Sequence, residues 1–152
     1  MIDWGSMTKS PALQAHFADY GSFHVTKGNQ ACHSVGIPLI VFTLMALLTR
    51  VPLLDLGIFT LTAAEATLVA ATLWYLTLDV PLALLMLATS VLFAAVGRAI
   101  PPFLALGLFA LGWILQFIGH YVYERRSPAF YKNLAHLLVG PLWILAKAVG
   151  RV

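Results

Sequence analysis

Four long apolar runs, each nearly free of charge, constrain this chain more than any other feature. They are GIPLIVFTLMALL at 36–48, the stretch from Thr62 to Leu78, LALLMLATSVLFAAV at 82–96 and FLALGLFALGWILQFIGHYVY at 103–123. A helix needs about 20 predominantly apolar residues to cross the hydrocarbon core of a bilayer. Only 10% of the 152 residues are charged, against roughly a quarter in soluble domains. The expected fold class is therefore all-α, an integral membrane helical bundle of about four transmembrane helices with N-terminal and C-terminal interfacial helices. One membrane-embedded domain over residues 1–152 accounts for the whole length. Cys32 stands alone, which excludes a disulfide framework and any cysteine-rich metal site.

The boundaries follow from local signals. Ser10-Pro11 is a helix start, so a short helix is expected through LQAHFADY, ending near Gly21. The polar stretch from Gly21 to Gln30 reads as a loop, and the first span begins at about Ser34. Thr62 and Glu65 form a capping box at the head of the second span. Asp79-Val80-Pro81 both ends it and opens the third, so these two helices make an antiparallel hairpin. Gly107 and Gly112 in the fourth run are small residues suited to close helix approach. Ser127-Pro128 starts a tail helix that Gly140-Pro141 is expected to interrupt. The first ten residues lack the basic start and apolar run of a signal peptide, so the first span is expected to direct insertion.

With four crossings, Lys9, Lys27, Arg125, Arg126, Lys132, Lys147 and Arg151 share one side, while Arg50 and Arg98 face the other. Excess Lys and Arg mark the cytoplasmic side. Both termini are therefore expected in the cytoplasm, in a bacterial inner membrane or the endoplasmic reticulum. Basic residues placed in this way orient a protein among membrane lipids and do not suggest a nucleic-acid partner.

The same parity collects all five histidines at that one end. His16 and His24 precede the first span, His33 lies at its start, His120 near the end of the fourth, and His136 in the tail. Imidazole is the commonest side-chain metal ligand, and ionisable groups at membrane depth lean towards function. Asn29 and His33 are four apart, and Gln116, His120 and Glu124 would share a face of an α-helix. Asn29 and Glu124 are expected to orient ligand imidazoles through the free ring N–H or the backbone. His136 can join the site only if the tail folds back beneath the bundle, and it is expected to be a resting-state ligand. His16 is expected to stay outside the ligand set.

The spacing Tyr20-x3-His24-x4-Asn29-x3-His33-x4-Pro38, then Trp113-x2-Gln116-Phe-Ile-Gly-His120-x3-Glu124-x3-Pro128-Ala129 and Gly140-Pro141, resembles the membrane-bound 2-hydroxy fatty acid dioxygenase family. Its eukaryotic members act in fatty acid α-oxidation during phytosphingosine breakdown. The resemblance implies an Fe(2+)-dependent, dioxygen-consuming removal of one carbon from a 2-hydroxy fatty acid, with His24, His33 and His120 at the motif positions. Histidine and carboxylate or amide ligands suit non-haem iron(II). A 2-hydroxy acid can chelate a metal through two oxygens, and three histidines on an octahedral ion leave room for that chelate and for dioxygen. Two other classes stay open. His33 and His120 could be axial ligands of a b-type haem in an electron carrier, or the bundle could bind lipid without catalysis. Membrane di-iron hydroxylases are disfavoured, because they use about eight histidines in compact groups that five isolated ones cannot supply.

Overall fold

The computed structural model describes residues 10–152, so Lys9 and the rest of the leading segment lie outside the described residues. The described residues form six α-helices: α1 (Pro11–Ser22), α2 (Lys27–Leu48), α3 (Ala63–Leu76), α4 (Val80–Gly97), α5 (Pro102–Phe117) and α6 (His136–Ala148). A π-helical segment, Ile118–Glu124, continues α5 directly. Among the described residues, three helices are long and apolar enough to cross a membrane: α2, α4 and the continuous Pro102–Glu124. The apolar α3 has 14 residues and is shorter than these. Outward faces are apolar as well, with Phe103 and Leu73 exposed at 77% and 61%, the surface expected of a bundle whose solvent is lipid.

The caps explain where the helices begin. Ser10 Oγ accepts from Leu13 N–H at 3.1 Å, and Asp79 Oδ1 accepts from Leu82 N–H at 2.9 Å. The capping box of Thr62 and Glu65 is formed on both sides. Helix α2 starts at Lys27, earlier than the expected loop allows, because Thr26 caps it by accepting from Asn29 N–H. Those two extra turns place His33 inside the helix and not at its start. Between α2 and α3 the chain makes an unexpected hairpin, β1 (Pro52–Asp55) antiparallel to β2 (Thr60–Thr62), with Asp55↔Thr60 and Leu54↔Leu61 paired. Asp55 Oδ1 accepts from Gly57 N–H, and Gly57 takes the φ of +77° that this turn requires.

The tail also departs from expectation. Residues 128–135 hold only a 3₁₀ turn, Ala129–Tyr131, whereas α6 runs unbroken through Gly140-Pro141. Proline removes one helical hydrogen bond, which is offset here because α6 buries Val139, Leu142, Trp143 and Ala146 in the core. The main core lies at the histidine-bearing end. There Leu13, Phe17 and Tyr20 of α1 meet α6, Tyr75 of α3 and Leu82 and Met86 of α4. Arg151 and Asp79 form a buried ion pair at that end, and Ser10 Oγ donates to Leu78 O. At the opposite end Arg50 ties α2 to α4 through the carbonyls of Gly97 and Ile100. Arg98 pairs there with Glu65 at 2.9 Å.

Candidate metal centre

Three separate segments bring His24, His33 and His120 together. His24 sits in the short loop after α1, His33 in the second turn of α2, and His120 in the π-helical segment. Their ring centroids are 4.4 Å (His24–His33), 5.0 Å (His24–His120) and 4.8 Å (His33–His120) apart. One ring nitrogen from each lies within 4.8 Å of the others, and all three side chains are buried.

Local hydrogen bonds decide which nitrogens face inward. His24 Nδ1–H donates to Tyr20 O at 2.6 Å and His33 Nδ1–H donates to Asn29 O at 3.0 Å. A carbonyl only accepts, so each ring carries its proton on Nδ1 and keeps the Nε2 lone pair. Among the described residues, His24 Nε2 and His120 Nδ1 are buried without a hydrogen-bond partner. Burying such atoms unpaired is costly, and a cation held by the three rings would satisfy them. Burial lowers the His24 imidazole to about 4, so at neutral pH it is in the uncharged form that binds metal. Tyr20 stacks on it with centroids 4.0 Å apart, and its phenol is raised by burial and stays protonated. The donor set fits a divalent metal.

The π-helical turn alters the expected face. In an α-helix Gln116, His120 and Glu124 would line up. The wider turn carries Glu124 instead to the start of α2. Arg125 closes the segment at φ 55°, its N–H bonded to His120 O. Such π turns occur frequently at functional sites. Among the described residues, no hydrogen bond joins Glu124 to an imidazole. Its Oε1 accepts from Val25 N–H at 3.1 Å, and its Oε2 accepts from Thr26 N–H, Thr26 Oγ1–H and Asn29 Nδ2–H at 3.1, 2.7 and 3.0 Å. Asn29, fully buried, also donates to Phe23 O at 3.1 Å. Glu124 and Asn29 together thus hold the loop carrying His24 and the turn carrying His33. Glu124→Gln turns an N–H2 group towards these donors. It should reduce metal affinity or turnover by roughly 10–100-fold, read by metal titration, and a loss below about twofold would mark an ordinary surface carboxylate.

His136 stands beside the group without joining it. Its Nε2 pairs with Asp19 Oδ2 at 2.7 Å, its ring lies against Tyr20 and Phe23, and its buried Nδ1 has no partner among the described residues. His16 turns away and packs edge-on against Trp74.

The histidines open into a cavity of about 190 Å³. Ile37, Ile40, Val41 and Leu44 of α2, Phe109 and Trp113 of α5, and Leu137 and Pro141 of α6 form its apolar walls, with Gln116 and His136 beside the trio. From His33 to Leu44 the wall runs about 16 Å at the helical rise. Gly36 and Gly112 let α2 and α5 come close enough to shape it. A Cβ on Gly112 would lie 3.1 Å from Gly36 O, whereas one on Gly107 would meet nothing within 4 Å among the described residues. The packing role expected of Gly107 therefore falls to Gly36.

The family described as 2-hydroxy-palmitic acid dioxygenase Mpo1-like matches residues 11–152. The chain belongs to this family. A curated relative, the 2-hydroxy-palmitic acid dioxygenase MPO1 of Saccharomyces cerevisiae, is 33% identical over 141 residues, covering 88% of this chain and 77% of the yeast protein. No solved structure matches. In this Mpo1-like chain the three histidines of the two motif blocks are the three that converge. Sequence reasoning left out Asp19 and Gly36. Asp19 reaches His136 across 117 residues, beyond any local signal. Gly36 follows His33 by three positions, which puts it on the same helical face, and that spacing could have found it.

Proposed function

We propose that this chain is a non-haem iron(II) dioxygenase that removes one carbon from long-chain 2-hydroxy fatty acids, a step of α-oxidation. The observation that carries the proposal is the buried histidine trio at the head of an apolar cavity, in a chain whose family and yeast relative carry that substrate in their names. His24, His33 and His120 would hold the iron, which when bound would supply the redox chemistry and the site of oxygen activation. His136, with Nε2 held by Asp19, has Nδ1 left to offer as a displaceable fourth ligand. His136→Ala should therefore lower metal affinity more than His16→Ala in parallel titrations, and the reverse order would move the fourth ligand to α1.

The remaining work is done by the chain itself. Tyr20 O and Asn29 O fix the ring tautomers, and Glu124 and Asn29 position the loop and helix that carry the ligands. The apolar walls take the acyl chain and keep water from the reacting end. Bound to residues of α2 and α5, the substrate stays within the bilayer where it already partitions. A membrane location with four crossings and both termini cytoplasmic is supported by the two ends of the bundle. The β1–β2 hairpin and Arg98 stand at one end, and Ser10, Asp79, Glu124 and Arg151 at the other.

A haem carrier is disfavoured by geometry. The His33 and His120 centroids are 4.8 Å apart with His24 against both rings, which leaves no slot for a porphyrin between them. The test is oxygen consumption by protein purified anaerobically and loaded with iron. 2-Hydroxypalmitate should be consumed and palmitate should not, because the plain acid lacks the second chelating oxygen. Equal rates with the two acids would overturn the reading.

A further inference from the structure

Gln116 is a buried polar side chain of the cavity that neither the histidine trio nor its supports explain. It lies on α5 one turn before His120, is 95% buried in its surroundings of apolar wall, and lines the cavity. Its Nε2 has no hydrogen-bond partner among the described residues. A buried amide left unpaired is destabilising, so its retention calls for a partner that arrives from outside. Gly36 seats the amide, since a Cβ there would lie 2.2 Å from Gln116 Nε2. Two close-packed helices thus present a hydrogen-bonding group at one fixed height. That height is one helical turn from the histidines, towards Ile40 and Leu44.

We propose that Gln116 binds the 2-hydroxyl of the substrate and gives the cavity itself, in addition to chelation, a preference for a 2-hydroxy acid over the plain acid. The inference rests on the functional reading above. With the carboxylate at the histidine end and the chain running towards Leu44, the hydroxyl on the second carbon is the substrate's polar group nearest the amide. A hydroxyl both donates and accepts, so it pairs with the amide whichever way the amide is turned. Its oxygen has a second lone pair, which this bond leaves free. Sites built to hydrogen-bond a hydroxyl reject analogues that lack it, because the protein group is then left buried and unpaired.

Two variants test the idea. Gln116→Met keeps the length of the side chain and removes its hydrogen bonds. Gln116→Glu keeps shape and acceptor but loses the amide donor, and it serves if the methionine variant does not fold. Binding of 2-hydroxypalmitate and palmitate is measured on the metal-free protein in lipid nanodiscs, alongside turnover by iron-loaded protein. Wild type should prefer the hydroxy acid without metal. The variants should lose that preference with palmitate binding and metal content unchanged, and KM for the hydroxy acid should rise about 10–100-fold, the scale of a lost hydrogen bond to substrate, while kcat falls less. If wild type turns over the hydroxy acid but a folded variant keeps both preference and KM within twofold, the role of Gln116 is overturned and the functional reading stands. If wild type turns over no 2-hydroxy acid, the functional reading falls and this inference with it.

Discussion

Alanine at His24, His33 or His120 should abolish bound metal and turnover together, in protein that still folds. The three rings converge with one nitrogen each inside 4.8 Å, and no other histidine joins them among the described residues. His136 is held by Asp19, and His16 rests on Trp74. Removing one ring leaves two of the trio and the displaceable His136, too few fixed donors to retain a labile divalent ion against dilution. The readouts are metal content after gel filtration and oxygen uptake, with helicity as the check on folding. Metal retention and near-normal turnover in any one of the three variants would exclude that residue as a ligand.

Gly119→Ala should be nearly as damaging, although the residue binds nothing. A Cβ there would fall 2.7 Å from Asn29 Oδ1 and 3.1 Å from His33 Cε1 and Nδ1. Asn29 cannot give way freely, because its amide is held by Phe23 O and Glu124 and its own carbonyl holds His33. The added methyl must therefore displace His33 or push the π-helical segment off α2. A misplacement of about 1 Å at a reacting centre costs on the order of a hundredfold in rate, and kcat/KM should drop by at least that much. Gly107→Ala is the matched control. It adds the same methyl to the same helix, meets nothing within 4 Å among the described residues, and should leave activity within about twofold, the scatter of neutral surface changes. Equal effects from the two substitutions would mean that loss of glycine in the helix, and not contact with Asn29 and His33, is responsible.

What could be read from the sequence was governed by how local its cause is. The caps at Ser10, Thr62 and Asp79 need only residues three positions away, and each forms. Thr26-Lys-Gly-Asn29 carried a cap signal of the same kind, and reading it would have placed the start of α2 at Lys27. The gathering of histidines at one end needed only the order of apolar runs. Which of the five would meet depended on contacts between distant elements. His16 went to α3 because α1 packs along the ends of α3 and α6, and His136 went to Asp19 for the same reason. The π-helical turn had no reading in spacing, because the face shared by Gln116, His120 and Glu124 presupposed 3.6 residues per turn. The unbroken α6 shows tertiary burial overriding the breaking tendency of Gly140-Pro141.

The bonds from Glu124 to Val25, Thr26 and Asn29 join residues 95 to 99 positions apart, and this separation has a consequence for biogenesis. During synthesis, α2 emerges with His24 and His33 long before the segment that bears His120 and Glu124. A nascent chain up to the end of α4 therefore carries two of the three converging histidines with no carboxylate to pin the loop, and closing so large a span is the slow, entropically costly part of assembly. The centre can form only when the last long apolar helix has been inserted and has docked against the first. If the trio holds iron as proposed, metal uptake should report complete insertion, with truncated or misinserted chains left metal-free.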